Sequence, residues 1–385
     1  MKVLHVFNRH RSGGGSDNAW DETIRRSIEH GIEVHSFERD SRSLPKGIAG
    51  KARAFASGLY AREAIAAFDR MLDAIRPDIV HTHELYPLIS PWIIRHARAA
   101  GVPVVHSCYD FRLTCPVATH YRDGRVCTDC LDHGPHRAMI RNCRDNRAES
   151  IAFAARAAVA ARAKLFEGVT RFIVLSEFSR GWFADHANIA RDRIDVYGCA
   201  IELADSAVDP AQGGYVAFAG RFVPEKGVES LIEAARIAGL PLRLAGMAAH
   251  HPAIRDGDDI ACVETPTRDA LTAFYRGARM LVVPSLWFET FAIVAAEAMA
   301  HGVPVIASDI GALADTVQRD RTGLLVSPGN SHAMADAMTR LWHDADLCRR
   351  LGKAARDRVA TEFTAPRHMA RLFETYRRAL CERPA

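Results

Sequence analysis

Short runs of apolar residues alternate with segments whose apolar positions recur at helical spacing along most of the chain. In the first half, the apolar runs predict strands at 1–7, 32–37, 79–83, 102–107 and 171–175. The segments between them predict helices at 17–30, 52–75 and 149–167, with a basic, mobile loop at 41–50. Strands that are apolar throughout are typical of parallel sheets covered on both faces. The pattern therefore predicts an α/β fold.

The pattern restarts at 215–219, after a linker at 199–214 that contains Asp209-Pro210 and Gly213-Gly214. Strands are predicted at 279–283 and 303–308, and the alternation continues to about residue 341. A last helix is predicted at 366–380, with apolar positions at Met369, Leu372, Phe373, Tyr376 and Leu380. We therefore expect domains at 1–200 and 201–364, followed by a C-terminal segment at 365–385.

Composition narrows the class of protein. The 385 residues are enough for two or three domains, and 48% hydrophobic with 25% charged residues is usual for a soluble enzyme. A net charge of +4 is too small to indicate a nucleic-acid partner, although it suits an anionic ligand or an anionic membrane surface. The N-terminal run is predicted to be a strand rather than a signal peptide, and nine cysteines favour a reducing compartment. We expect a cytoplasmic protein, with peripheral contact with the inner face of the membrane left open.

Two carboxylates stand out in the second half. Glu289 follows the predicted strand 279–283, and Glu297 lies within the apolar helix that comes next. Open α/β sheets bind ligands beyond the carboxyl ends of their strands, where Glu289 is expected. A carboxylate buried among apolar side chains needs hydrogen-bond donors, which a hydroxyl-rich ligand supplies. The alternative is that Glu297 is a solvated helix residue.

A glycine-bounded turn follows the first predicted strand of the second half. Gly220 and Gly227 enclose Arg221 and Lys226, and a helix is expected to begin directly afterwards. Two cations beside the free N–H groups of a helix N-terminus form an anion site. The alternative is a surface loop with two solvated cations.

The segment 108–147 is polar, irregular and long for a loop in a compact domain. Its cysteines Cys115, Cys127, Cys130 and Cys143 include a Cys-x2-Cys pair with two outlying thiols, a spacing that suits tetrahedral zinc. A structural zinc ion would order a loop that lacks a core of its own. Other ligands (His120, His133 and His136), an iron–sulfur cluster and plain reduced thiols remain open.

Residues 284–306 and 323–326 resemble the signature of retaining glycosyltransferases of family four, which have the GT-B architecture. The resemblance implies two Rossmann-like domains facing a central cleft, with the C-terminal helix crossing back to the first domain. It implies that the first domain binds the acceptor and the second a nucleotide diphosphate sugar, without a catalytic divalent metal. Segments 110–116 and 122–130 are similar to a subgroup with a cysteine-rich loop.

The resemblance also assigns roles to residues of this chain. Glu289 would meet the donor sugar, Glu297 the ribose, and Arg221 with Lys226 the diphosphate, whose charge grows as the sugar departs. The backbone around the donor would be supplied by Gly14, Gly15, Gly220, Thr290, Phe291, Ala292, Ile293 and Gly311. Ala292 departs from the family, which usually has glycine at this position.

The first domain departs from the family at one position. Segments 77–87 and 101–105 match relatives, many of which continue with a histidine that meets the donor sugar; its position here is Tyr109. Either Tyr109 and Asp110 replace that histidine, or His106 takes its place in the cleft; the alternative is that His106 is a core residue. We expect Tyr109 and His106 among the catalytic residues, and His83 and Asp110 on the acceptor side.

These residues predict a retaining glycosyltransferase that acts on a glycan, a lipid-linked or a small-molecule acceptor, with bacterial surface polysaccharide assembly as the commonest setting of the relatives. In the family, retention is explained by attack on the face that the leaving group departs from, so that no enzymic nucleophile is needed. Two alternatives are a GT-B sugar-nucleotide epimerase and a catalytically silent partner that binds a nucleotide sugar.

Overall fold

The computed structural model describes residues 1–11, 15–246, 251–265 and 267–382. Within them, two six-stranded sheets form, and every strand pair in both sheets is parallel. Helices connect most successive strands of the two sheets, as the alternating sequence pattern predicts.

The first sheet has the order β2-β1-β3-β4-β7-β8. Its strands are β1 (Lys2–Arg9), β2 (Glu33–Asp40), β3 (Ile79–Thr82), β4 (Val104–Ser107), β7 (Arg171–Val174) and β8 (Ile194–Val196), while β5 (Tyr121–Arg122) and β6 (Arg125–Val126) form a separate antiparallel hairpin. The helices of this half are α1 (Gly15–Glu29), α2 (Ile48–Leu59), α3 (Arg62–Ile75), α4 (Trp92–Ala99), α5 (Asp129–His133), α6 (Arg137–Ile140), α7 (Arg147–Arg162) and α8 (Glu177–His186).

The helix predicted at 52–75 is wrong as a single element, because α2 ends and α3 begins within it. Tyr60 adopts an extended conformation (φ −155°, ψ 105°), and the N–H of Ala61 donates to the Ser90 hydroxyl at 3.3 Å. A tertiary hydrogen bond thus replaces the helical one. The predicted loop at 41–50 is shorter than expected, because a 3-10 turn covers Ser41–Ser43 and α2 begins at Ile48.

The second sheet has the order β11-β10-β9-β12-β13-β14. Its strands are β9 (Tyr215–Ala219), β10 (Leu242–Ala245), β11 (Ile260–Val263), β12 (Ala278–Val283), β13 (Val305–Ser308) and β14 (Gly323–Val326). The helices are α9 (Val228–Ala238), α10 (Arg268–Arg276), α11 (Ile293–Ala300), α12 (Leu313–Thr316), α13 (Ser331–His343), α14 (Ala345–Glu362) and α15 (Ala365–Cys381).

Each sheet has a point at which the order of strands reverses. In the second sheet this point lies between β9 and β12, and in the first it lies between β1 and β3. Crevices at such points are where open α/β sheets bind ligands. The turn 220–227 follows β9 and the segment 284–292 follows β12, so both sequence motifs lie at the crevice of the second sheet.

The C-terminal helix α15 packs on the first sheet. The Tyr376 hydroxyl lies 2.7 Å from Nδ1 of His81 in β3, and Arg378 donates to Asp195 of β8 at 2.6 Å. Met369 and Leu372 are buried. The expected crossing of this helix back to the first domain is confirmed, while the exact boundaries 1–200, 201–364 and 365–385 stay a prediction.

Candidate active site

The turn after β9 is docked on the end of β12 by a close backbone contact. Gly227 has a left-handed conformation (φ +67°), and a Cβ there would lie 2.1 Å from the carbonyl oxygen of Pro284. The N–H of Leu286 donates to the carbonyl of Glu225 at 2.8 Å. Only glycine fits this approach, which joins two motifs that are about sixty residues apart in sequence.

This contact brings Lys226 to Glu289. Oε1 of the buried Glu289 accepts from Lys226 Nζ at 2.7 Å, from the Ser285 hydroxyl at 2.6 Å and from Trp287 Nε1 at 2.9 Å. Burial alone would raise the pKa of Glu289, but the charge of Lys226 and these donors outweigh it and lower the pKa. Within the described residues, Oε2 of Glu289 has no hydrogen-bond partner.

The backbone of Glu289 is supported from the other side by Gly311. Its φ is +57°, and a Cβ at this position would lie 3.0 Å from the Cα atom of Phe288 and 3.1 Å from the backbone nitrogen of Glu289. The N–H of Ala312 donates to the Glu289 carbonyl at 3.1 Å. Gly311 therefore packs directly against the backbone of Glu289.

Arg221 differs from Lys226 in having no internal partner. It is exposed next to Gly220, at the end of β9, and makes no hydrogen bond or ion pair with any residue that the structure describes. Lys226 also lies 5.4 Å from the centre of the Trp287 ring. The two predicted cations thus share one turn, but only Arg221 is free to meet an anion without first breaking an ion pair.

Glu297 lies in α11 and is partly buried. Its Oε2 accepts from the Tyr275 hydroxyl of α10 at 2.9 Å, and Oε1 has no partner in the described part of the chain. Burial raises the pKa of Glu297, and the Tyr275 hydrogen bond opposes that rise only in part. This environment differs from that of a solvated helix residue.

Ala292 immediately precedes α11 and has a left-handed conformation, with φ of +66° and ψ of +68°. A side chain with Cβ costs about 1 kcal/mol or more in this region relative to glycine. The departure from the usual family glycine therefore lies at a position where the backbone itself favours glycine. Phe291 beside it is buried against Phe363, with ring centres 5.1 Å apart, while Ile293 is exposed.

The segment after β12 also contacts the first domain. The Thr290 hydroxyl donates to the carbonyl of Tyr109 at 3.2 Å, and the N–H of Phe178 donates to Asp315 at 2.6 Å. The Phe288 ring packs against Trp182 and Phe178, with ring centres 4.7 and 5.0 Å away. One short stretch of chain therefore carries Glu289 and joins the two domains.

His83 and Tyr109 are brought together on the first-domain side of this contact. Nδ1 of His83 lies 2.8 Å from the Tyr109 hydroxyl, and its Nε2 lies 3.1 Å from Nδ1 of His5. His81 stacks on His83 with ring centres 4.0 Å apart and binds both Tyr376 and Ser107. Ligand nitrogens of His5, His81 and His83 lie within 4.8 Å of one another, but at least one nitrogen of each ring already has a hydrogen-bond partner.

His106 does not reach the cleft. Its Nδ1 lies 2.8 Å from the Thr82 hydroxyl, and the ring packs against Phe166 and Phe172 in the core of the first domain. The expectation of a catalytic His106 is therefore corrected in favour of the core alternative, because the ring is buried, held by Thr82 and packed against two phenylalanine rings. Burial lowers the pKa of His106 to about 3.

Asp110 lies beside the cleft in a charge network that the sequence did not reveal. Arg112 donates to Asp110 at 2.9 Å through Nε and lies 2.6 Å from Glu84, which in turn lies 3.7 Å from His10. Burial would raise the pKa of Asp110, but Arg112 lowers it. Glu84 and His10 each follow a strand at the reversal point of the first sheet, which is the signal that could have identified them.

Of the two N-terminal glycines, Gly15 begins α1 and has open space in front of its α-carbon, whereas Gly14 lies outside the described residues. The sequence-based assignment of Gly14 and Gly15 to the donor therefore stays a prediction.

The four predicted cysteines of segment 108–147 line a single small cavity. Cys115, Cys127, Cys130 and Cys143 share it with His120, whose ring nitrogens are engaged by Thr114 and by the carbonyl of Cys127. Burial, and then the nearby sulfurs, raise the pKa of Cys130 to about 12. No three of these sulfurs lie within 4.8 Å of one another, so binding an ion would require the loop to draw them together. His133 and His136 do not line the cavity.

Comparison with known proteins agrees with this geometry. A family model described as "Glycosyl transferase 4-like domain" matches residues 10–200, and one described as "Glycosyl transferases group 1" matches residues 204–358. The chain belongs to the family-four-like glycosyltransferases of the GT-B architecture. The expected fold class is confirmed.

Individual relatives of this glycosyltransferase are distant. The D-inositol 3-phosphate glycosyltransferase of Pseudarthrobacter chlorophenolicus is 30% identical over 220 residues, which cover 50% of this chain and 52% of that protein. The protein of the same name from Salinispora tropica is 26% identical over 98% of this chain and 85% of its own length. The chain thus spans about half the length of the first curated relatives that it matches.

Solved structures share the fold. Sucrose-phosphate synthase from Thermosynechococcus elongatus superposes with a TM-score of 0.73 at 20% identity, covering 99% of each chain. Anabaena Alr3699/HepE in complex with UDP-glucose superposes with a TM-score of 0.64 at 16% identity, covering 97% of this chain and 99% of that one. Among the described residues of the glycosyltransferase, no helix combines the length and the apolar character needed to cross a bilayer.

We predict that replacing Ala292 by glycine will not destabilise the protein, since it removes the left-handed strain of about 1 kcal/mol that offsets the entropic cost of glycine. The control is Ala360→Gly, on the exposed side of α14, which should lower the free energy of unfolding by about 0.5–1 kcal/mol. Urea unfolding measures both. Equal destabilisation by the two changes would contradict the strain at Ala292.

We also predict a loss of stability below about pH 6.5, where unfolded histidines take up protons. Burial lowers the pKa of His5 and His106 to about 3, so the unfolded chain binds more protons than the folded one between these values. Each such histidine should contribute about 1.4 kcal/mol of lost stability per pH unit as the pH falls below 6.5. Urea unfolding of wild type, His106→Gln and the exposed control His133→Gln between pH 5 and 7.5 tests this. A slope that His106→Gln leaves unchanged would exclude the contribution.

Proposed function

We propose that this glycosyltransferase transfers a sugar, with retention of configuration, from a nucleotide diphosphate sugar to a hydroxyl group of a glycan, lipid-linked or small-molecule acceptor. The observation that carries the proposal is a pair of carboxyl groups at the crevice of the second sheet, each with one oxygen that has no hydrogen-bond partner in the described residues. Glu289 and Glu297 are each held through one oxygen, and the other oxygen is left without a partner in the described residues. Oxygens of this kind accept hydrogen bonds from ligand hydroxyls.

The charges in the same crevice suit the leaving group. As the bond between the anomeric carbon and the phosphate oxygen breaks, negative charge grows on the nucleoside diphosphate. Arg221 and Lys226 lie on the turn that approaches Glu289, and the backbone of Gly311 packs against that of Glu289. In this proposal the backbone at Gly220 and Gly311 lies next to the phosphates and the sugar. In this proposal Glu289 binds the sugar, Glu297 the ribose, and residues 290–293 line the donor.

On the opposite side, Tyr109 binds Thr290 of the second domain through its carbonyl and His83 through its hydroxyl, and Asp110 follows it in the chain; this proposal gives these residues the acceptor side. The acceptor oxygen forms a bond to the anomeric carbon on the face that the diphosphate leaves, and the departing phosphate takes the acceptor's proton. This route assigns the protein positioning and charge stabilisation rather than a nucleophile. Many relatives have histidine at the position of Tyr109, whose carbonyl and hydroxyl are both hydrogen-bonded here. Burial raises the pKa of Tyr109 well above the usual range, so in this proposal it helps to orient the reactants and does not transfer a proton.

The comparisons suggest which ligands to try first. The Anabaena protein of the same fold binds UDP-glucose, and the relatives are named as glycosyltransferases of D-inositol 3-phosphate. UDP and UDP-glucose are therefore the first donors to test. A setting in bacterial surface polysaccharide assembly, and contact with the inner face of the membrane for a lipid-linked acceptor, belong to this proposal through the family resemblance.

We predict that Arg221→Gln will slow hydrolysis of UDP-glucose without acceptor by an amount equivalent to about 2–4 kcal/mol, because the charge that it meets grows in the transition state. The control is Arg350→Gln, an exposed arginine on α14 of the same domain. Release of free UDP is measured for wild type and both variants. A wild-type rate of UDP release in Arg221→Gln would contradict a role of Arg221 in the mechanism. If the wild type releases no UDP from any donor, a catalytically silent binding protein is favoured instead.

We further propose that the cavity lined by the four cysteines holds a structural zinc ion. Four thiols around one small space, in a loop with little core of its own, fit the donor set of a tetrahedral zinc site. Zinc would hold all four cysteines as thiolates and tie the hairpin β5–β6 to α5 and α6. His120, with both nitrogens engaged, keeps the ring contact with Trp182 at 5.0 Å instead of binding the ion.

We predict about one zinc ion per chain in protein purified without chelators. Cys127→Ser and Cys130→Ser should each lose the metal and lower the melting temperature, because the ligand set then has three thiols. Cys381→Ser, an exposed cysteine at the end of α15, is the matched control and should keep both. Binding of UDP, which lies in the second domain, should survive. A metal-free and fully stable wild type would leave these cysteines as ordinary thiols.

A further inference from the structure

A second cavity, of about 320 Å³, lies within the first domain, apart from the crevice of the donor. It is bounded by α7, by the segment 164–167 and by the end of α8. Its walls are mostly apolar and include Ala157, Ala160, Phe172 and Ile189. The alanines on α7 leave space that larger side chains would fill. Neither the donor site nor the cysteine cavity uses this space.

The positive charges at this cavity exceed the negative ones. Arg112 is paired with Glu84 and Asp110, and Lys164 with Glu167 at 3.2 Å. Arg193 donates only to the backbone carbonyls of Val169 and Thr170.

Arg156 has no carboxylate and no hydrogen-bond acceptor in the parts of the chain that the structure describes. Two guanidinium groups, those of Arg156 and Arg193, therefore have no direct ion pair in the described residues, and the carboxylates of Asp110 and Glu84 act on Arg156 only at longer range.

Arg156 is placed by aromatic rings. Its guanidinium lies 3.6 Å from the centre of the Phe153 ring and 4.5 Å from that of Tyr86. Burial, and then the charge of Arg112, lower the pKa of Arg156 to about 10, which still leaves it protonated at neutral pH. Stacking on rings offsets part of the cost of removing a cation from water. The Tyr86 hydroxyl, also without a hydrogen-bond partner in the described chain, lies at the same cavity.

One residue, Arg112, links the cavity to the predicted acceptor side of the cleft. Arg112 lines it and at the same time binds Asp110, next to Tyr109. We propose that this cavity binds the phosphate ester of a phosphorylated acceptor, with Arg156 as the counter-ion. A guanidinium group presents paired N–H donors that fit phosphate oxygens, and neither Arg156 nor Arg193 has a direct ion-pair partner that a phosphate would have to displace. The apolar walls suit a short hydrocarbon portion next to the phosphate.

This inference rests on the proposed function, because it takes the bound phosphate ester to be the acceptor of the glycosyl transfer. The binding that it predicts can be measured without turnover. Calorimetric titration with butyl phosphate, butyrate and inorganic phosphate tests it in wild type, Arg156→Gln and Arg162→Gln, the last an exposed arginine on the same helix. Butyl phosphate should bind wild type and Arg162→Gln equally, and Arg156→Gln at least tenfold more weakly. UDP titration reports whether the variants are folded.

The site is contradicted if butyl phosphate does not bind wild type, or if it binds Arg156→Gln equally well. The assignment to phosphate is contradicted if butyrate binds as tightly as butyl phosphate. Co-sedimentation with vesicles that contain phosphatidic acid shows which kind of ester is bound. Wild type that sediments with the vesicles, while Arg156→Gln does not, indicates a lipid ester; wild type that does not sediment with them indicates a soluble ester. If wild type binds butyl phosphate but never releases UDP from a nucleotide sugar, the transferase proposal fails while the anion site stands.

Discussion

The backbone contact between Gly227 and Pro284 is the constraint on which the rest of the site depends. A Cβ at residue 227 would lie 2.1 Å from the Pro284 carbonyl oxygen, so the turn after β9 can lie against the end of β12 only with glycine there. That contact places the Lys226 ammonium 2.7 Å from Glu289, where it outweighs the effect of burial on the carboxyl pKa. An ion pair of this kind is favourable only because Ser285 and Trp287 complete its hydrogen bonds, since a buried charge without such partners costs several kcal/mol.

The same stretch of chain carries Glu289 and forms the contact between domains. Phe288 lies among aromatic rings of the first domain, Glu289 binds Lys226 at the crevice of the second sheet, and Thr290 binds the Tyr109 carbonyl. A change in the distance between the domains must therefore act on the backbone next to Glu289. The cysteine-rich loop adjoins this contact as well, because the His120 ring lies 6.2 Å from Phe288. Because His120 packs near Phe288, the conformation of that loop affects the contact between the domains, although the cysteines themselves lie away from the crevice.

The sequence predicted those features that local patterning determines. Apolar runs located the strands, and Glu289 and Arg221 follow β12 and β9 as their positions in the sequence predicted. The assignment of Glu289, Glu297, Arg221 and Lys226 to the donor stays a prediction. Tertiary contacts that no local pattern encodes were missed. The break at Tyr60 depends on Ser90, and the position of His106 depends on Thr82 and on rings from 166 and 172. The charge network of Arg112, Glu84 and His10 joins three separate strand ends, so it becomes visible only when the sheet order is known.

The two carboxyl groups of the donor crevice differ in their electrostatic environment, and this difference supports two separate roles. Lys226 favours the charged form of Glu289, while burial disfavours the charged form of Glu297, which has only the neutral Tyr275 hydroxyl as a donor. A carboxylate held charged beside a cation suits a position where positive charge develops on a sugar during transfer. A carboxyl group that lacks donors gains most from a ligand that brings hydroxyl groups, as a ribose does. The two environments thus agree with the proposed division between a sugar side at Glu289 and a nucleotide side at Glu297.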